Sequence, residues 1–89
     1  TIGLLIYRRF KTMNLKIDKT LNTCGLLCPE PVMMLHKIMR ETASGELIEV
    51  IANDPSTLRD IPKFCLFLGH ELVEQQQREM NYFFYIRKA

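Results

Sequence analysis

No run of about 18 apolar residues occurs in the 89-residue chain, so no segment is expected to span a membrane. An excess of positive charge is also missing where it would count. The formal net charge is +2, from twelve Lys and Arg against ten Asp and Glu. Three of those bases (Arg8, Arg9, Lys11) and no acid fall in residues 1–13. The other 76 residues hold nine bases and ten acids, a net −1, which argues against direct nucleic-acid binding by the body of the protein. Residues 1–13 lack the order of a secretory signal, because their apolar run precedes the bases rather than following them. The chain opens on Thr, and Met13 stands just before a strand pattern. Residues 1–12 are therefore expected to be a non-native or upstream extension, and 13–89 a single domain. Cysteine is scarce and odd in number: Cys24, Cys28 and Cys65. A disulfide-stapled secreted scaffold is thereby disfavoured, and reduced thiols in a cytoplasm fit better. There is no repeat, low-complexity tract or composition break to mark a second domain.

What is present is one small α/β pattern. A domain of this length buries roughly 60–65% of its unfolded surface, enough to fold alone with little surplus. Residues 15–22 alternate Leu15, Ile17 and Leu21 against Lys16, Asp18 and Thr20, the period of a half-buried strand. A first helix is expected over 29–43. At 100° per residue, Pro31, Met34, Leu35, Ile38 and Thr42 share its inner side, with Val32 and Met39 flanking. Met33, His36, Lys37 and Arg40 share the outer side. Gly45 is expected as its left-handed cap. Residues 46–54 read as a strand. Asp54-Pro55 then signals a helix start, with Pro62 requiring either a kink or a separate first turn before a main helix at 60–68. Phe64, Leu66, Phe67 and Leu68 are expected in the core, with Cys65 an inert neighbour, and Gly69 ends the helix. Two last strands, 70–76 and 81–89, form a hairpin through "QREM". "FFY" (83–85) puts apolar groups on both sheet faces. The expected fold is a two-layer βαβαββ sandwich, with both helices on one face of a four-stranded mixed sheet, because each crossover is right-handed.

The stretch that carries chemistry is "CGLLCPEP", residues 24–31. A helix leaves its first four N–H groups unpaired, so Pro29 and Pro31 sit where a missing N–H costs nothing, and their fixed φ locks the first turn. Cys28 then falls at the cap, with its sulfur expected near the positive end of the helix dipole. That end favours thiolate, so a lowered pKa is expected, with Glu30 in the first turn partly opposing it. A purely structural cap would more often be Ser, Asp or Asn. Two other readings compete. Cys24 and Cys28 have three residues between them, and no second ligand pair follows, which makes a metal knuckle a weak reading. The CxxC spacing of a thioredoxin-like redox pair is absent. Met33, one turn past Cys28 and beside Lys37 and Arg40, suits a docking surface, since methionine adapts to several partners; single exposed apolar side chains are also common.

The run "GLLCPEPVMML…G…IEVIANDPSTLRDIPKFCLFLGHEL" resembles the TusA/SirA family of small sulfur carriers, from about Leu21 to the C-terminus. The resemblance implies the same two-layer fold. It implies that Cys28 accepts sulfane sulfur from a cysteine desulfurase as a persulfide and hands it to a cysteine of a downstream relay protein, towards 2-thiolation of tRNA wobble uridine. Gly25 would let the chain approach closely, and Pro29, Glu30 and Pro31 would support the site. Such a relay needs no metal, nucleotide or other cofactor, and makes the protein a carrier with a sulfurtransferase step rather than a stand-alone enzyme. Cys24 and Asn22 depart from the family pattern, where an apolar residue and an acid are common. Two alternatives stay open: a non-catalytic interaction or regulatory module with "CPEP" as a rigid cap, and a carrier for another sulfur or selenium pathway.

Overall fold

The computed structural model describes residues 16–89; the expectations for residues 1–12, Met13 and Leu15 lie outside the described residues. Four strands and two helices follow in the order βαβαββ: β1 (Lys19–Asn22), α1 (Glu30–Arg40), β2 (Leu47–Ala52), α2 (Thr57–Leu68), β3 (Glu71–Arg78) and β4 (Asn81–Arg87). The sheet order is β1-β2-β4-β3. β1 runs parallel to β2, with Leu21 opposite Val50, whereas β4 is antiparallel to both of its neighbours. The mixed sheet and element order are those the sequence predicts.

The core lies between the helices and one sheet face. Ile48, Val50 and Ala52 of β2 and Phe84 and Ile86 of β4 point into it at the two-residue period of strands. Leu35 and Met39 of α1 and Ile61, Phe64 and Cys65 of α2 meet them from above. Leu35, Ile61, Ile48 and Phe84 are fully buried, each contributing about 1.5–3 kcal/mol by leaving water. Phe83 and Tyr85 fall on the opposite face. There Tyr85 donates to Glu49 Oε2 at 2.9 Å, Thr20 donates to Glu49 Oε1 at 3.2 Å, and the Arg78 guanidinium lies 4.1 Å from the Phe83 ring centre.

Several expectations are corrected. Helix α1 stops at Arg40, with Glu41 as its C-cap, so Gly45 is not its cap; Gly45 sits in the following loop and donates to the Lys88 carbonyl at 2.8 Å. Helix α2 runs through Pro62 in one piece from Thr57. Pro62 has no N–H to give to the carbonyl one turn back, and the helix continues past it. Its buried stripe is Thr57, Ile61, Phe64 and Cys65, spaced four, three and one residues apart. Leu66 and Phe67 therefore fall off the stripe and are exposed (76% and 71%), and Leu68 in the last turn is half exposed, so of the four expected core residues only Phe64 is buried. Gly69 does end the helix, in the left-handed conformation. The hairpin turn is only Glu79-Met80, with Glu79 at φ 56°.

Candidate functional site

Parallel neighbours end on the same sheet edge, so the loop after β1 and the loop after β2 leave side by side. The chain closes them together. Thr23, fully buried, sends both its N–H and its hydroxyl to the Ile51 carbonyl, at 2.7 and 2.8 Å. Gly25 donates to Asn53 Oδ1 at 3.0 Å, and Cys28 donates its backbone N–H to Asp54 Oδ2 at 2.7 Å. Asn22 accepts the Cys24 N–H at 2.9 Å, a local turn that its amide oxygen makes as well as a carboxylate would. A Cβ at Gly25 would meet nothing within 4 Å, which corrects the expected close approach. Glycine is needed there for its φ of +90°.

The start of α1 lies one residue later than the sequence suggests. Pro29, not Cys28, is the N-cap, and no side chain caps the helix. The Pro29 carbonyl accepts the Met33 N–H at 3.1 Å, Glu30 opens the helix and Pro31 follows, buried. The Cys28–Pro29 peptide is cis. Both prolines thus stand where no N–H is wanted, as the sequence predicts.

Cys28 is exposed, and its sulfur meets Asp60 of α2. The Sγ donates to Asp60 Oδ2 at 3.3 Å. A carboxylate at neutral pH only accepts, so this contact exists with the proton on sulfur. The hydrogen bond to Asp60 is the main influence raising the Cys28 pKa above its ordinary value; partial desolvation and the charges of Asp60 and Asp54 add to it, and Arg59 opposes it. The expected lowering by the helix dipole is therefore overturned. The cause is a neighbour 32 residues away in sequence. Asp60 is itself held below the usual carboxylate range, chiefly by Arg59, whose Nε lies 2.9 Å from Oδ1, and then by the Cys28 thiol. Asp54, largely buried, is likewise lowered by the backbone N–H groups of Ser56 and Cys28. Neither acid stands out in the sequence, because each lies in a stretch that reads as a helix start.

The other candidates divide by place. Glu30, Met33, Lys37 and Arg40 are exposed, and Met33, Lys37 and Arg40 lie on the outward side of α1, with Met33 61% exposed. Between α1 and α2 a groove of about 330 Å³ runs from Pro29, lined by Val32, His36, Lys63, Phe64 and Phe67 among others. Asp60 lines it too, so the thiol's partner forms part of the groove wall. His36 stands edge-on to Phe64 at 4.7 Å. Cys24 is half-buried, and Cys65 is buried in the core, where desolvation pushes its pKa up to about 11. All three cysteines are unpaired. Among the described residues no group of three or more His, Cys, Asp and Glu side chains is gathered to hold a metal ion, and no helix is long and apolar enough to cross a membrane.

Residues 19–88 match the family described as Sulfurtransferase TusA. The chain is 60% identical over 76 residues to the sulfur carrier protein TusA of Pseudomonas aeruginosa, covering 85% of this chain and 96% of that one. It is 63% identical over 71 residues to the same-named protein of Pseudomonas entomophila, covering 80% and 89%. In fold it resembles the crystal structure of a SirA-like protein from Desulfitobacterium hafniense, with a TM-score of 0.72 over 80% of this chain and 97% of that one, at 19% identity.

Proposed function

This chain belongs to the sulfurtransferase TusA family, and from that premise we propose that it carries sulfur as a persulfide on Cys28. The observation that supports the reading is an exposed cysteine on a rigid mount: proline on its C-terminal side and a carboxylate clamp on its own N–H.

The chemistry is thiol exchange. Cys28 loses its proton, and the thiolate attacks the terminal sulfur of a donor persulfide, R–S–SH. A new S–S bond forms at Cys28, the donor's S–S bond breaks, and the donor leaves as a thiolate that takes up the proton. The sum is Cys28–SH plus R–S–SH giving Cys28–S–SH plus R–SH, with no net oxidation. A partner thiolate removes the terminal sulfur by the same step in reverse roles. The donor is a cysteine desulfurase and the acceptor a cysteine of a second relay protein, on the way to 2-thiolation of tRNA wobble uridine. Met33, Lys37 and Arg40, exposed on the helix that follows the thiol, form the docking side. Three unpaired thiols suit a reducing, cytoplasmic compartment.

The test is intact mass after incubation with a desulfurase and cysteine. Wild type and Cys24→Ser are expected to gain one sulfur atom, and Cys28→Ser none. Equal gain by Cys28→Ser would remove Cys28 from the role.

A further inference from the structure

The contact between Cys28 and Asp60 is an odd choice for a thiol meant to attack. Sγ is exposed, yet it spends its one proton on a carboxylate 3.3 Å away. Removing that proton would leave two negative charges at that distance with no donor between them. Asp60 is also held firmly ionised, because Arg59 occupies its other oxygen at 2.9 Å. It is therefore a fixed acceptor rather than a base that takes the proton for itself.

We propose that Asp60 is a positioning residue that keeps the proton on Cys28 in the free carrier, so that the working thiol rests quenched. The carrier role gives this contact its purpose, but the proton-holding is readable without any donor protein. A failed sulfur transfer and a failed shift in thiol reactivity are thus separate results.

The groups around Cys28 are few. From the loop after β2, Asp54 faces its N–H and adds negative charge. From α2, Asp60 accepts a hydrogen bond from the thiol and Arg59 opposes both acids. Lys63, one turn beyond Arg59, contributes positive charge at Asp60. From α1, His36 lines the same groove as Asp60, and Glu30 follows two residues after the cysteine. Asp60 and Arg59 thus act on the sulfur with opposite signs from adjacent positions. This gives a pair of variants whose effects must diverge if the contact governs the proton.

The experiment is the pH profile of iodoacetamide alkylation of the whole protein in a Cys24→Ser background, read by intact mass, with Cys65 shielded in the core. Asp60→Asn is expected to move the profile to lower pH and speed alkylation at neutral pH, about tenfold for each pH unit of displacement. Arg59→Gln is expected to move it to higher pH and slow alkylation. A merely structural role for Asp60 would leave the profile in place. Coincident profiles for wild type and Asp60→Asn, or a move to higher pH, would overturn the proposal. If Asp60→Asn does not fold, as judged by circular dichroism, the exposed Arg59→Gln decides alone, and an unmoved profile there is equally fatal.

Discussion

At the scale of single residues, the site is a cysteine held at two points by two aspartates. Asp54 accepts from both the Ser56 and Cys28 N–H groups, which holds its carboxyl below the usual range. A carboxyl lowered by folding adds stability above its unfolded value and loses it as pH falls through the folded one. Asp54→Asn is therefore expected to lower the urea midpoint at neutral pH, with the gap to wild type closing as the pH drops below about 4. A gap that stays constant with pH would mean that the carboxylate charge plays no part. Cys28 itself was legible in the sequence, because a thiol directly before Pro-Glu-Pro at a helix mouth makes a poor structural cap and a good rigid mount. Asp54 and Asp60 were not, since their partner lies 26 and 32 residues back. The one signal pointing to them is topological: the loops after two parallel neighbouring strands share an edge, so an acid after β2 stands beside a thiol after β1.

At the scale of elements, most boundaries follow from periodicity, and the misses have local causes. The sequence put Leu66 and Phe67 inside because they are large and apolar; the helix angle puts them outside. Helix α1 rests on Leu35, which is fully buried, so Leu35→Ala is expected to cost about 2–5 kcal/mol in denaturant unfolding. The β3–β4 turn works the other way. Of its two residues only the first, Glu79, has positive φ, the position where two-residue hairpins favour glycine. Glu79→Gly should raise stability by about 1 kcal/mol, seen as a higher urea midpoint at unchanged slope, whereas the same change in a strand would lower it. An unchanged or lower midpoint would mean that the turn already carries Glu79 without strain.

At the scale of the whole molecule, some of the large apolar side chains left in water lie near Cys28 in sequence or line the groove beside Asp60. Leu27 and Met33 lie in sequence on either side of Cys28, and Phe67 lines the groove that starts at Pro29. Met33→Ala should therefore leave folding stability within about 0.5 kcal/mol while raising the KM for a sulfur donor at unchanged kcat. A fall in kcat alone would argue against a docking role. The clamp that joins the loop after β1 to the loop after β2 has one more consequence. Cys65 is hidden by the core, but Cys28 is open to reagents whether the chain is folded or not, and its partner Asp60 stands beside it only once β1 has found its register on β2. If Asp60 holds the proton on Cys28, the reactivity of this thiol, not its accessibility, is what folding changes. Unfolding should therefore make an already exposed thiol react faster, so that the speed of one surface sulfur becomes a gauge of whether the two halves of the chain have come together.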